Sequence, residues 1–74
     1  MISLKFLHDT PFDMFEGAYK LAMEIYGRNN VVIALDESID PAHIKVEIYG
    51  AQSEEAVEDD LKRYSHWFTA EAVE

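Results

Sequence analysis

Val31-Val32-Ile33-Ala34-Leu35 and Ala42-His43-Ile44-Lys45-Val46-Glu47-Ile48-Tyr49, inside the stretch Asn30 to Gly50, decide the fold of this chain. The first run is short, apolar and rich in β-branched residues. The second alternates strictly, with Ile44, Val46 and Ile48 on one side and His43, Lys45, Glu47 and Tyr49 on the other. Between them Asp36-Glu37-Ser38-Ile39-Asp40-Pro41 is too acidic and too rich in breakers to continue either strand, so the stretch reads as a hairpin with one wet face.

Working outward, Ile2, Leu4 and Phe6 alternate with Ser3 and Lys5 and predict a first strand ending near His8. Thr10-Pro11-Phe12-Asp13 then predicts a helix start, with Thr10 as N-cap, Pro11 at the first helical position and Asp13 closing a capping box. That helix is expected to run to about Tyr26, with Gly27 in the left-handed cap position. At about 100° per residue, Asp13, Glu16, Gly17, Lys20 and Glu24 share a narrow polar face, and the apolar residues cover roughly 200° of arc. A sheet needs less than that, so a second helix or a partner is expected to cover the remainder.

After the hairpin, Gly50 to Ser53 is a turn and Ser53 an N-cap. Val57, Leu61, Tyr64 and Phe68 predict one buried stripe on a second helix from Glu54 to about Thr69. The expected fold is therefore α+β: a two-layer β-α-β-β-α domain over residues 1–74, with a three-stranded antiparallel sheet of order 1-3-2. Both helices would lie on one face, leaving Ser3, Lys5, Val32, Ala34, Lys45 and Glu47 on the open one. This is a truncated ferredoxin-like plan lacking its last strand, and topology of that kind implies no function.

Fifteen acids against six bases give a net charge of -9 on 74 residues. That charge repels nucleic acid and anionic membranes and favours basic partners. The chain has no cysteine, no apolar run long enough for a membrane span and no signal-peptide pattern, so a cytoplasmic protein is expected. No nucleophile with an adjacent base, glycine-rich phosphate loop or paired metal-ligand spacing occurs, which predicts a non-enzymatic protein without a cofactor. Asp36, Ser38, Asp40 and Glu47 match a calcium loop by spacing. Pro41 then stands where that loop needs glycine, and Glu47 lies in a strand. His8, His43 and His66 fall on three separate elements.

The densest feature is Glu54-Glu55-Ala56-Val57-Glu58-Asp59-Asp60. Acids at a helix N-terminus complement its dipole, and Glu58 with Lys62 and Asp59 with Arg63 are favourable i,i+4 pairs. Glu54 above Glu58 and Glu55 above Asp59 are like-charge pairs, which a helix optimised for stability alone would avoid. Rows of carboxylates about 5–6 Å apart are of the order of the phosphate spacing in a nucleic-acid strand. Asp36, Glu37 and Asp40 in the hairpin loop form a secondary cluster. The competing reading is that this charge only keeps a small protein soluble.

In size, acidity and its rows Glu54/Glu58 and Glu55/Asp59, the chain is similar to small phage-encoded DNA mimics and anti-CRISPR proteins. The likeness is of class, without an aligned motif, and Lys45, Lys62 and Arg63 depart from it. It implies an inhibitor, in the host cytoplasm if viral, that occupies the basic DNA path of a nucleic-acid-binding complex. The alternative is an adaptor that dimerises or docks through the apolar face of the first helix around Met14, Leu21 and Ile25. A monomer is expected in preference to a dimer.

Overall fold

A computed structural model describes residues 1–36 and 43–73. The hairpin is present as β2 (Val31–Asp36) and β3 (His43–Ile48), paired antiparallel from Val31 opposite Ile48 to Asp36 opposite His43. β1 (Ile2–Phe6) pairs antiparallel with β3, so the expected 1-3-2 neighbours are in place. The sheet does not stop there. Phe68–Ala72 forms β4 along the other side of β1, giving four strands in the order β2-β3-β1-β4. Each half is now a split β-α-β unit, and the three-stranded sheet expected from the sequence is corrected to four strands by the addition of β4.

The helix α1 (Phe12–Tyr26) starts one residue later than expected, on Pro11, whose carbonyl accepts from the amides of Met14 and Phe15. Thr10 makes no cap. Its hydroxyl donates instead to the Leu7 carbonyl at 2.6 Å and, more weakly, to the Trp67 carbonyl at 3.4 Å, fastening the turn after β1 to the chain entering β4. At the far end Gly27 has the expected positive φ, 95°, but its ψ of 140° sends the chain straight into a 3-10 segment, Arg28–Asn30.

The second helix α2 (Glu54–Asp60) is half the expected length. It is capped as predicted, the Ser53 hydroxyl accepting from the Ala56 amide at 3.1 Å. It then tightens at Leu61 into a 3-10 segment, Lys62–Trp67. Leu61, Tyr64 and Trp67 recur every third residue, which suits three residues per turn. Phe68, Ala70 and Ala72 alternate with Thr69 and Glu71, the period of a strand.

Ile2, Leu4, Phe6, Val46, Ile48, Phe68 and Ala70 from the sheet bury against Ala18 and Ala22 of α1 and Val57 and Leu61 of α2, in one cluster. Alternation therefore sends both helices to one face, as expected. Small residues on α1 let it approach the sheet closely. Gly17, placed on the polar face by the helical wheel, is likewise a close approach: a Cβ there would come within 2.6 Å of the Tyr64 hydroxyl. Tyr64, Trp67 and Phe68 serve the core, whereas Tyr49 is exposed. On the open face Ser3 is buried between Glu47 of β3 and Glu71 of β4, its hydroxyl without a hydrogen-bond partner.

Among the described residues, no helix is long and apolar enough to cross a membrane.

Candidate functional site

The five acids of α2 are brought together on one short helix, yet they do not share one role. Around the helix, with Val57 and Leu61 facing the core, Glu58, Glu55 and Asp59 fall on the opposite arc at about 100° to 200° from Val57. All three are exposed. Glu54 lies nearer the core edge, and its Oε1 accepts from the Ala72 amide of β4 at 3.1 Å. Asp60 lies on the side facing α1, where its Oδ2 accepts from the Tyr26 hydroxyl at 2.7 Å. Glu54 and Asp60 thus tie α2 to β4 and to the end of α1. The Glu54/Glu58 row is broken by this division, and the Glu55/Asp59 row stands.

The expected pairs Glu58–Lys62 and Asp59–Arg63 are absent among the described residues. The cause is the change of helix type at Leu61. Beyond it the chain turns about 120° per residue instead of 100°, which carries Lys62 and Arg63 off the i,i+4 line. Arg63 sits 6.0 Å from the Tyr64 ring centre instead. No basic neighbour within ion-pair distance neutralises the outward carboxylates among the described residues. Ion pairs do form elsewhere, between Lys5 and Glu71 at 3.4 Å and Lys20 and Glu16 at 3.5 Å. At such exposed sites each contributes about 0–1 kcal/mol.

The secondary cluster is not part of this surface. Asp36 ends β2 on the outer strand, at the end of the sheet remote from Gly50 and the start of α2. Glu37 and Asp40 lie outside the described residues, as do Ser38 and Pro41 of the calcium-like spacing. Glu47 lies within β3, as the sequence indicated. No cluster of three or more potential metal ligands occurs among the described residues.

Among the described residues, Tyr26 is the one titratable group with a clearly displaced equilibrium. Burial first, then donation to Asp60 and the nearby negative charge, push its phenol well above the ordinary value near 10. Between that value and the folded pKa, the unfolded chain loses the proton while the folded chain keeps it. Stability is therefore expected to be complete below about pH 10 and to fall as pH rises above it. Tyr26→Phe removes the hydrogen bond, with an expected loss of about 1 kcal/mol at neutral pH, and it flattens the alkaline decline. Urea melts of both proteins from neutral to strongly alkaline pH check this; parallel pH profiles would refute the assignment.

One apolar surface went unnoticed in the sequence. Of the α1 residues expected to dock a partner, Met14 and Leu21 are partly buried and Ile25 is exposed. Bare apolar side chains also gather around and beyond the start of α1: Leu7, Phe12 (71% exposed), Ile33 (46%), Leu35 (58%) and Ile44. Leu7, Phe12, Phe15 and Ile44 line a cavity of about 310 Å³ there. The available signal was Phe12 itself, a large aromatic in the first turn of a helix whose apolar arc was already too wide. No family model, curated protein or solved structure matches this chain.

Proposed function

We propose that this is a non-enzymatic, cytoplasmic acidic binding protein that inhibits a nucleic-acid-binding complex by occupying its basic DNA-binding surface. The observation that carries the reading is the outward arc of α2, where Glu55, Glu58 and Asp59 stand exposed with no cation in ion-pair range among the described residues. Glu54 and Asp60 act as struts that hold this arc in place, one through β4 and one through α1. Carboxylates carried on a folded helix reduce the backbone ordering cost that a flexible acidic tail would incur on binding. Against a groove lined with lysine and arginine they would replace phosphates and release the counterions held there.

The test is capture of nucleic-acid-binding complexes on the immobilised protein, eluted in parallel by a salt gradient and by a competing DNA duplex. The proposal expects a bound complex that leaves at moderate salt and is displaced by the duplex. A complex that resists both would remove the mimicry reading.

A second reading is supported by the exposed Phe12 and its cavity: an adaptor that receives an apolar anchor from a partner at the Leu7, Phe12 and Ile44 end. Phe12→Ser would abolish such binding and leave the mimic unaffected.

A further inference from the structure

The two edges of the sheet are treated differently. At β4 the Ala72 amide is already occupied by the Glu54 carboxylate, and Thr69 and Glu71 interrupt the apolar residues. Edges are commonly protected by charge or by a covering group, and β4 has both. At the other edge, the first five residues of β2, Val31-Val32-Ile33-Ala34-Leu35, carry no charge, proline or glycine, and its one charged residue, Asp36, is the last of the strand. Val32, Ile33 and Leu35 are all exposed. A long apolar edge without such protection is a template for a further strand.

The direction of its backbone groups follows from one bond. The Tyr49 amide donates to the Asn30 carbonyl at 2.8 Å, and the register places these two residues directly opposite. Facing residues that bond each other alternate with facing residues that do not. Val32 and Ala34 therefore turn their amides and carbonyls toward β3, while Val31, Ile33 and Leu35 turn theirs outward. These same three residues lie opposite Ile48, Val46 and Ile44, so their side chains share the helix-covered face.

We infer that two copies of the chain pair through the outer edges of β2, antiparallel and two-fold symmetric about Ile33, so that four strands from each join in one continuous sheet. This register satisfies the outward groups with their own equivalents. Ile33 faces Ile33 of the second copy, and Val31 faces Leu35, each facing pair exchanging both backbone bonds. It also joins like surface to like, since the half-exposed Ile33 and Leu35 meet apolar side chains on the same face. Charge favours a second copy over an acidic strand of another protein. Antiparallel pairing brings the Arg28 end of one strand toward the Asp36 end of the other, and the acidic α2 packs with β4, at the edge farthest from the two-fold axis. The inference stands on the β2 edge alone and does not require the α2 surface to be functional.

Sedimentation velocity from micromolar to millimolar concentration, with residue-resolved hydrogen exchange on the same samples, tests it. The expected result is a dimer that strengthens with added salt, because screening relieves the repulsion between two chains of net charge -9. The amides of Ile33 and Leu35 should become protected as the dimer forms. Leu35→Lys places an edge-guarding charge where the native side chain is already mostly exposed. It should weaken the dimer about tenfold or more while near-ultraviolet circular dichroism is unchanged. A chain that stays monomeric throughout, or a dimer in which the Ile33 and Leu35 amides exchange at the monomer rate, would overturn the inference. So would undiminished pairing by Leu35→Lys.

Discussion

Leu61→Ala is expected to lower the melting temperature by roughly 10–25 °C, and to leave a substantial unfolded population at physiological temperature. Leu61 is fully buried at the point where α2 gives way to the 3-10 segment. Its amide donates to the Val57 carbonyl and its carbonyl accepts from Tyr64, so one residue closes α2 and opens the segment leading to β4. Truncation to alanine costs about 2–5 kcal/mol through lost burial and the cavity left behind. A domain of 74 residues has only about 4–11 kcal/mol in total. The cavity would open beneath the helix whose Glu54 holds β4, so strand and helix are expected to loosen together. Leu61→Met conserves most of the volume and should cost under about 1.5 kcal/mol, which separates packing from any wider intolerance of the site. Thermal melts followed at Trp67 and in the far ultraviolet check both variants. A Leu61→Ala melting point within about 3 °C of the parent would mean that Leu61 does not carry the core.

The same residue shows why the sequence misleads in this region. Val57, Leu61, Tyr64 and Phe68 fit one helical stripe, and that fit conceals a helix, a 3-10 segment and the first residue of a strand. Periodicity alone cannot separate these, because Leu61, Tyr64 and Trp67 also suit a period of three and Phe68, Ala70 and Ala72 a period of two. Alanine and glutamate are poor strand formers. β4 forms because β1 is otherwise an edge with Ile2, Leu4 and Phe6 to cover, a tertiary demand that local propensity does not express. The first three strands were legible because β1 and β3 alternate strongly and β2 is a β-branched apolar run set off from β3 by an acidic, breaker-rich connection. Ser53 was legible as a cap, whereas the Thr10 hydroxyl turns back to the Leu7 carbonyl three residues earlier, a local alternative to capping, and reaches the Trp67 carbonyl only once β4 is in place.

Legibility of the candidate site follows the same line. Composition and helical spacing were enough to gather five acids on α2. The division into three outward carboxylates and two struts depends on the Ala72 amide and the Tyr26 hydroxyl, distant in sequence from the groups they hold. The hairpin acids read as a secondary cluster, and spacing says nothing of where that cluster lies relative to α2; the topology places Asp36 on the opposite edge strand, at the other end of the sheet.

Reversing Glu55, Glu58 and Asp59 to lysine together is expected to weaken binding to a basic complex by about a hundredfold or more, since each contact becomes a juxtaposition of like charges. Neutralising them to Glu55→Gln, Glu58→Gln and Asp59→Asn should have a smaller effect of the same sign, and it should flatten the dependence of affinity on salt. The neutral variant also controls for the helix. Glu55→Lys, in the first turn, opposes the macrodipole at about 0.3–1 kcal/mol, whereas Glu55→Gln does so far less. Glu54→Gln and Asp60→Asn should behave differently, lowering stability with a smaller direct effect on affinity, because their carboxylates, though exposed, are engaged by the Ala72 amide and the Tyr26 hydroxyl. Salt also separates this surface from the β2 edge within one titration: added salt should release the basic complex and strengthen the self-paired chain. Fluorescence titrations of the folded variants at several salt concentrations measure all of these effects. Full affinity retained by the lysine variant would remove α2 from the interface and leave the apolar end at Phe12 as the docking surface to pursue.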